Sequence, residues 1–419
     1  MKVLLFVLLG GLVFLGCLGS PEGSPAVLQD STLKIGPQNS NNSSSVFPQS
    51  SNGKIGPSSL PTLESPSGVK VDVEYFKKFS AKKVYGKEAI GIDGSGTEYL
   101  KTVSQSEILQ GCFGGKDCIP SIDQPKFVGV QEASAWLEEG ARILGIEIDG
   151  VARAYPVKIL DYHEIVNDEI NEKPFAVTYC PLCGSGVAFH RIVLSEPVKL
   201  GVSGKLYQSD LIMYDRKTET YWSQISGEGI QGPLSGYRLQ WIPLSVTTWK
   251  EWKEVHPDTK VLSNVQDIYS PGTYESYPYG NYESEDSTLF PASGSSKYHS
   301  KAWVQGIELE GQFKAWVEME VQKTGIVNDT FKGQKILVVW SNDAQAIKLF
   351  DRVLDGQELE FELKDGVLVD TATQTKWSFS GQGLEGPLKG KTLSVVPSIR
   401  TFWFAWTAFH PGTSVWPPQ

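Results

Sequence analysis

The chain repeats itself, and this internal duplication constrains its fold more than any other feature. The segment that begins at Gly145 (GIEIDGVARAYPV) matches the segment that begins at Gly306 (GIELEGQFKAWVE), at an offset of 161 residues. The offset holds as far as Arg191 and Arg352 and then falls to 154, which is a net difference of seven residues. A duplicated unit is expected to fold twice in the same way. Residues that one copy alone retains are therefore the first candidates for chemistry.

Both copies consist mainly of short segments rich in Val, Ile, Tyr, Phe and Thr, separated by Gly, Asp and Asn. These segments predict β-strands, and Asp149-Gly150 and Glu310-Gly311 predict hairpin turns at the same place in each copy. Short helices are expected at 134–139 and 248–253. We therefore predict an α+β fold, predominantly antiparallel β, built by internal duplication of a β-rich unit with short helices.

The N-terminus has the pattern of an export signal. Residues 3–16 are an apolar run behind Lys2, too short to span a membrane and typical of a signal peptide. Lipidation of Cys17 is the favoured interpretation of residues 1–17, with an ordinary secretory signal or an uncleaved anchor as the alternative. Residues 18–68, dominated by Ser, Pro, Asn and Gly, predict a disordered stalk. The sequence thus predicts an extracytoplasmic protein anchored by lipid to the outer face of the cell membrane.

Beyond the stalk we distinguish three regions. Repeat one covers 69–263, an ordered connector rich in Tyr and Gly covers 264–300, and repeat two covers 301–419. The formal net charge is −10 at pH 7, without a cluster of Lys and Arg. Nucleic acid is therefore not expected as a partner, the membrane is the expected contact through the lipid anchor, and no protein partner is identified.

The run TYCPLCGSG of repeat one holds Cys180 and Cys183, which align with Ser341 and Ala344 in repeat two. At this spacing both sulfur atoms can face one point, as they do in sites for soft metal ions and in reversible dithiol pairs. The second repeat is thus interpreted as a supporting copy without this chemistry.

His163 and His190 also occur in repeat one alone, where repeat two has Thr324 and Asp351. Across an antiparallel sheet, either imidazole could complete a Cys2His or Cys2His2 set with the two thiols. Such mixed sets suit copper or zinc. The sequence therefore predicts a Cu or Zn centre whose ligands are Cys180, Cys183, His163 and His190.

Two other functions stay open for the same region. A thiol-disulfide redox pair agrees with C-P-x-C, although the following GSG turn and strand lack the helix N-terminus that stabilises a redox thiolate. The other is a non-catalytic binding module with a static disulfide between these two cysteines. In that module, a cleft for a small anion or an oxygen-rich ligand would be lined by Arg216, Gln224, His163 and the two cysteines, and Asp161 marks the same face. No catalytic residue is identified, so the sequence does not decide whether the protein is an enzyme.

Cys112 and Cys118 bracket a turn that contains two glycines. In an exported protein, such a pair is a candidate for a disulfide or for metal binding. We interpret it as a structural disulfide.

Five motifs follow one another in order: TYCPLCGSGVAFHR (178–191), LGVSGKLYQSDLIMYDR (200–216), YWSQISGEGIQGPLSG (221–236), WKEWKEVHPDT (249–259) and YPYGNYESEDSTLFP (277–291). In these motifs the chain resembles an exported prokaryotic family catalogued as domain of unknown function 3179, from about residue 70 to the C-terminus. The resemblance implies no established activity and supplies no catalytic residue. Members commonly have a small or charged residue where this chain has Cys112 and Cys118, which favours an added clip over a shared active site.

Overall fold

The computed structural model describes residues 89–92, 98–193, 196–232 and 234–418. The expected signal peptide at 1–17, its Cys17 and the stalk at 18–68 lie outside the described residues. Within the described part of the chain, no helix has both the length and the apolar character needed to cross a membrane.

Repeat one and the segment before it contain eighteen strands within the described residues. They are β1 (Ala89–Ile92), β2 (Glu98–Lys101), β3 (Ile108–Gln110), β4 (Phe127–Val128), β5 (Arg142–Ile148), β6 (Val151–Pro156), β7 (Ile165–Ile170), β8 (Lys173–Cys180), β9 (Ser185–His190), β10 (Ile192–Val193), β11 (Glu196–Pro197), β12 (Leu200–Tyr207), β13 (Asp210–Asp215), β14 (Tyr221–Ser223), β15 (Gly229–Gln231), β16 (Trp241–Ile242), β17 (Ser245–Thr248) and β18 (Lys260–Leu262).

Repeat two contains thirteen strands among its described residues. They are β19 (Trp303–Leu309), β20 (Gln312–Val317), β21 (Ile326–Phe331), β22 (Gln334–Ser341), β23 (Ala346–Asp351), β24 (Val353–Leu354), β25 (Gln357–Glu358), β26 (Phe361–Lys364), β27 (Val367–Asp370), β28 (Lys376–Trp377), β29 (Gly383–Glu385), β30 (Ile399–Phe402) and β31 (Ser414–Trp416).

The strands form the same arrays twice. The order β17-β5-β6-β18 in repeat one corresponds to β30-β19-β20-β31 in repeat two. Likewise β7-β8-β9 corresponds to β21-β22-β23, and β12-β13-β14-β15 corresponds to β26-β27-β28-β29. The pairs β6–β18 and β20–β31 are parallel, and the hairpins that build the arrays are antiparallel. The predicted α+β class, predominantly antiparallel β with internal duplication, is confirmed.

The helices are short, as the sequence predicts. They are α1 (Val130–Ala133), α2 (Val157–His163), α3 (Trp249–Val255), α4 (Glu318–Thr324) and α5 (Trp403–Phe409), with 3-10 turns at Gln105–Glu107, Pro271–Glu275 and Tyr282–Ser284. Helix α3 confirms the helix expected at 248–253, and the Thr248 side chain caps it by accepting from the Glu251 amide. The helix expected at 134–139 is wrong, because α1 ends at Ala133 and Leu137 is buried in the turn that follows.

Each repeat packs a tryptophan against a glycine of its first hairpin. A Cβ atom at Gly145 would lie 2.4 Å from the ring of Trp252, and one at Gly306 would lie 2.4 Å from the ring of Trp406. A larger residue at either position would clash with the indole, which is buried in both copies. The tryptophans shared by the two repeats are therefore core residues.

One apolar cluster draws residues from both repeats. It packs Cys183 and Phe189 of repeat one against Phe402, Phe404 and Phe409 of repeat two. Burial of a phenylalanine side chain stabilises a fold by roughly 1.5–3 kcal/mol. The two repeats thus stabilise each other, and their shared core surrounds the cysteine pair.

Candidate functional site

Cys180 and Cys183 occupy a tight turn between β8 and β9. Cys180 ends β8 and pairs with Ser185, the first residue of β9. The Cys183 amide donates to the Cys180 carbonyl at 3.2 Å, and Gly184 completes the turn with a φ of +64°. Both cysteines are free thiols and are buried, with 1% and 0% exposure. The turn therefore holds two reduced sulfur atoms inside the protein.

The β12–β13 hairpin of repeat one is longer than its counterpart β26–β27 in repeat two. Leu200 and Phe361 are equivalent, since each exchanges two hydrogen bonds with the side chain of an aligned asparagine. Asp215 and Asp370 are equivalent, since each accepts from the indole of an aligned tryptophan at 3.0 Å. The segment from Leu200 to Asp215 has 16 residues, whereas that from Phe361 to Asp370 has 10. Six of the seven additional residues of repeat one thus lie in this hairpin.

The additional length brings the tip of the hairpin to the two thiols. Gln208 and Ser209 form its two-residue turn, with φ of +51° and +65°. The Ser209 carbonyl oxygen lies 3.4 Å from Cys183 Sγ and 4.0 Å from Cys180 Sγ. Asp210 follows, and a carboxylate oxygen of Asp210 and the two sulfur atoms all lie within 4.8 Å of one another.

The Asp210 carboxylate is buried and faces both thiols. Its Oδ2 accepts from the Ile225 amide at 3.1 Å, and the Cys180 and Cys183 thiols and the Leu211 amide are further donors to the carboxylate. Two thiols and a carboxylate are groups that bind a metal ion once the thiol protons leave. Asp210 and the adjacent sulfur atoms therefore form a set that can bind a cation.

Burial dominates the electrostatics of this cluster. It raises the pKa of the Cys180 and Cys183 thiols, and it raises the pKa of Asp210 to about 7. The pKa of the adjacent Glu164 rises to about 8, through burial first and then through the negative charges of Asp210 and Asp161. Withdrawal from water destabilises each of these anions, and a bound metal ion reverses this effect.

Glu164 has a backbone conformation that is unusual for its residue type. It follows α2 with a φ of +56°, and its side chain is buried. The aligned residue of repeat two is Gly325, whose φ is +80° and which adopts this conformation without a clash. A non-glycine residue in such a conformation costs on the order of 1–3 kcal/mol. Repeat one thus keeps a carboxylate near the thiols at a position where its twin uses glycine.

His163 does not face the thiols as a free ligand. It ends α2, and its Nδ1 lies 2.7 Å from the Pro120 carbonyl oxygen. Its Nε2 lies 2.7 Å from the hydroxyl of Tyr274. Both ring nitrogens therefore have partners, and His163 is not available to bind a metal ion together with the cysteines, in contrast to the expectation from the sequence. Its hydrogen bonds connect the end of α2 to Pro120 and Tyr274.

His190 is at the far end of β9 from the cysteine turn. It pairs with Phe175, whereas Ser185 at the near end pairs with Cys180. Five residues of strand separate the two ends, a distance of roughly 16 Å. The expectation that His190 binds a metal ion together with the cysteines is thus also corrected. The group that lies beside the two thiols is the Asp210 carboxylate and not an imidazole.

Arg216 and Gln224 belong to two different parts of the protein. Arg216 binds the carboxylates of Asp123 and Asp117 at 2.8 and 3.0 Å. Gln224 is fully buried and donates to the Ser185 carbonyl at 3.1 Å, so it supports the cysteine turn from within. The expected single cleft lined by both residues and the cysteines is therefore wrong, because the structure uses each side chain for internal contacts.

Asp161 lines a cleft of about 220 Å³ on the surface of repeat one. Its carboxylate is 8% exposed, and its Oδ1 has no hydrogen-bond partner among the described residues. Burial raises the pKa of Asp161 to about 8, although the nearby Arg142 opposes this shift. Of the three ligand-binding residues expected from the sequence, Asp161 is the one that faces a cleft.

Cys112 and Cys118 form a disulfide, as the sequence predicts. The bridged loop packs on the β12–β13 hairpin, because the Asp117 amide donates to the Val202 carbonyl at 2.7 Å and the Cys112 amide to the Gly204 carbonyl at 3.0 Å. The clip therefore supports the hairpin that carries Asp210.

Repeat two and the connector close over the cysteine turn. The Phe402 amide donates to the Cys183 carbonyl at 2.8 Å, and the Tyr282 hydroxyl donates to the Leu182 carbonyl at 3.0 Å. A Cβ atom at Gly184 would lie 2.5 Å from the ring of Trp303. The turn thus requires glycine at this position both for its positive φ and for the close approach of repeat two.

The corresponding turn of repeat two folds without thiols. Ser341 takes the place of Cys180, and its Oγ accepts from the amide of Ala344, which takes the place of Cys183, at 3.1 Å. Gln345, aligned with Gly184, has a φ of +51°. The same backbone turn therefore forms with Ser and Ala, and the cysteines are not needed for its shape.

Analysis of the sequence alone missed Asp210 and Glu164. Two signals pointed to them: the additional residues of repeat one, which lengthen the hairpin that carries Asp210, and the alignment of Glu164 with Gly325. Both signals need a known turn geometry before they can be interpreted.

Comparison with known proteins gives the family and no relative of known function. No curated protein and no solved structure matches the chain significantly. The sequence model of the family described as "Protein of unknown function (DUF3179)" matches residues 116–413, which include both repeats and the Cys180–Cys183 turn. The chain therefore belongs to the DUF3179 family, as the motifs at 178–291 predict.

Proposed function

We propose that the protein is a membrane-anchored extracytoplasmic lipoprotein that binds a borderline divalent metal ion, foremost Zn(II), through Cys180, Cys183 and Asp210. The observation that carries the proposal is a buried set of two free thiols and one carboxylate whose ligand atoms lie within 4.8 Å of one another. All three groups belong to features that repeat two lacks, namely the thiols and the long hairpin.

The ligand types favour zinc over copper. Zinc accepts both cysteine sulfur and aspartate oxygen as ligands in tetrahedral sites. Copper in proteins is favoured by thiolate, thioether and imidazole ligands, and here a carboxylate takes the place of the expected imidazole. Three protein groups leave a fourth position on the metal, which suits a site that binds and releases its ion.

A thiol-disulfide redox function has less support. Redox cysteines are activated when a helix N-terminus or a nearby cation lowers the thiol pKa. Here Cys180 ends a strand, and burial raises the pKa of both thiols. A static disulfide between Cys180 and Cys183 also has less support, because both are free thiols.

The lipid anchor is the second element of the proposal. Its basis is the sequence of residues 1–17, with Cys17 directly after the apolar run. Mass spectrometry of the exported protein, with Cys17→Ala as the comparison, tests it. Acylation at Cys17 and release of the variant from the membrane fraction are expected, and an unmodified mature N-terminus would contradict it.

Metal analysis of the full chain tests the proposed centre. Protein purified without an affinity-tag metal column is titrated with Zn(II), and one ion per chain is expected. The variant Cys180→Ser/Cys183→Ala carries the residues of the twin turn in repeat two, so it is expected to fold and to bind no zinc. The variant Asp149→Asn changes an exposed carboxylate in the β5–β6 turn and is expected to retain zinc. Wild-type protein that binds no zinc would overturn the proposal.

A further inference from the structure

The Asp161 cleft carries more acidic than basic groups. Its walls include the carboxylates of Glu138, Asp161 and Glu275 and the ammonium group of Lys158. The Lys158 ammonium is already occupied, since it donates to Glu275 at 3.0 Å and to the Trp136 carbonyl at 3.3 Å. Arg142 lies near Asp161 and offsets part of the negative charge, and the exposed carboxylate of Glu138 attracts a positively charged ligand.

Two polar atoms that face this cleft lack partners among the described residues. They are Asp161 Oδ1 and the hydroxyl of Tyr277, and both residues line the cleft. Asp161 is more than nine-tenths buried, so water solvates its carboxylate poorly. Unpaired buried groups of this kind indicate a position that a bound species occupies. The Asp161 carboxyl holds a proton below its pKa of about 8, and a bound cation displaces this proton.

The cleft is adjacent to the proposed metal centre. Asp161 is in the last turn of α2 and Glu164 directly follows this helix, and the negative charges of Asp161 and Asp210 both act on the Glu164 carboxyl group. The Glu164 carbonyl accepts from the Tyr179 amide at 2.8 Å, and the next residue is Cys180. Glu164 thus stands between the carboxylate of the cleft and the first thiol.

Two tyrosines of the connector lie over the region between the Asp161 cleft and the two thiols. Tyr277 lines the cleft, and its ring contacts that of Tyr279 at 5.6 Å between centroids. Tyr279 packs against the apolar cluster that contains Cys180 and Cys183. The pair of rings therefore extends from the cleft to the thiols and excludes bulk water from the carboxylates beneath.

We propose that the Asp161 cleft is the uptake site for the divalent cation, where Asp161 receives the ion and Glu164 transfers it to Cys180, Cys183 and Asp210. This inference rests on the proposed metal-binding function. Each step exchanges one coordinating oxygen or sulfur for another, and no electron is transferred. The protons of the two thiols, and those that Asp161 and Glu164 hold below their pKa of about 8, leave for solvent as each group binds the ion. The twin positions in repeat two, Gln322 and Gly325, cannot perform these steps.

Rapid mixing of the full chain with Co(II) tests the uptake site. Cobalt bound to thiolates gives a charge-transfer absorption, which reports arrival at the two sulfur atoms. At about pH 8, where the Asp161 carboxyl is partly ionised, Asp161→Asn is expected to slow this arrival by about tenfold or more, because a negative charge at a site mouth raises association rates by this order. The final absorbance and the stoichiometry are expected to stay unchanged. Asp149→Asn, an exposed carboxylate in the β5–β6 turn, is the matched control and is expected to load as fast as wild type.

Release of the ion provides a second readout. Since a route that serves uptake also serves release, Asp161→Asn is expected to slow the transfer of bound Co(II) to an added chelator by the same factor. Tyr277→Phe removes a hydroxyl group from the cleft without changing its charge. This variant is expected to slow uptake and release of Co(II) by the same factor. It tests the uptake site if Asp161→Asn does not fold.

Three results would overturn the proposal. An unchanged rate in the variants means that the ion takes another route. A slower rate with weaker equilibrium binding means that Asp161 is itself a ligand of the final site. Wild-type protein that never develops the absorption contradicts the metal-binding function itself, and this result is distinct from the other two.

Discussion

The hydroxyl of Thr401 donates a hydrogen bond of 2.7 Å to the carbonyl of Cys183, and this bond joins the two repeats at the proposed metal centre. The Phe402 amide donates to the same oxygen at 2.8 Å, so both of its lone pairs are used. A turn fixed in this way holds its sulfur atoms in position before any ion arrives. Preorganisation of this kind reduces the ordering entropy that binding must offset.

Replacement of the aspartate of the site by its amide tests the third ligand. Asp210→Asn preserves shape but removes the anionic donor, so we expect Zn(II) affinity to fall by at least about 100-fold, more than outer-shell losses of about 10–100-fold. Competition with a chromophoric chelator measures the change. Asp258→Asn, at an exposed position, serves as the control with unchanged affinity. Equal affinities of the two variants would exclude Asp210 as a ligand.

Transfer of the thiols to repeat two tests the role of the long hairpin. Ser341→Cys/Ala344→Cys, made in the Cys180→Ser/Cys183→Ala background, rebuilds the dithiol turn where the hairpin has 10 residues. Because no counterpart of Asp210 reaches this turn, we expect Zn(II) binding at least about tenfold weaker than in the wild type, a loss of about 1.4 kcal/mol. Isothermal titration calorimetry measures it, and wild-type affinity at the grafted site would argue against the hairpin.

Replacing Glu164 by glycine is expected to change the stability of the fold and the uptake of the metal ion in opposite directions. Glu164→Gly relieves the positive φ and removes a buried carboxylate, so we expect the free energy of unfolding of the metal-free protein to rise by roughly 1 kcal/mol. We also expect slower uptake of Co(II). Glu172 has a φ of +60° and is exposed, so Glu172→Gly relieves strain alone and is expected to leave uptake unchanged. Urea unfolding and rapid mixing check the two effects, and unaltered uptake in Glu164→Gly would remove Glu164 from the route.

The close contact at Gly184 predicts that alanine destabilises the protein more at this position than at Gly311. Gly311 has a φ of +68° and open space where a methyl group would lie, so Gly311→Ala is expected to cost about 1–2 kcal/mol through backbone strain alone. Gly184→Ala adds a clash with Trp303, and overpacking costs about 1–3 kcal/mol more. We also expect weaker Zn(II) binding, since the turn must shift. Denaturant unfolding of both variants is the measurement, and equal losses would contradict the packing.

The pKa of Asp161 predicts how stability depends on pH in the metal-free protein. Its pKa in the fold is about 8, above its value of about 4 in an unfolded chain. The neutral carboxyl therefore stabilises the fold fully below pH of about 4, and this contribution is lost as pH rises towards about 8. Relative to Asp161→Asn, the wild type should lose up to about 1.4 kcal/mol per pH unit across this window. Urea unfolding at several pH values measures the difference, and parallel profiles would contradict it.

The duplicated sequence predicts much of the fold, because a segment that predicts a strand in one repeat can be compared with the aligned segment of the other repeat. The strands β8 and β9 and their twins β22 and β23 fall where the repeated Val, Ile and Phe segments predict them. Helix α2 was missed, since the run from Val157 to Leu160 is rich in residues typical of strands. Its helical form depends on burial against the sheets, which local sequence does not reveal.

The candidate site was predictable only in part. Cys180 and Cys183 were identified because they are adjacent in the chain and absent from the twin. Asp210 could not be paired with them, since the contact depends on how far a hairpin reaches across the core. The histidines were misplaced for the same reason, because a choice between the two ends of a strand requires the register, which is Phe175 to His190 at the end away from the thiols.

The two hairpins begin and end on matching anchors, Leu200 with Asp215 and Phe361 with Asp370, and differ in what lies between. The additional residues of repeat one thus lie between anchor residues that both repeats share. A carboxylate can thus be brought to the cysteine turn, or withdrawn from it, by changing the length of one hairpin, without any alteration of the architecture.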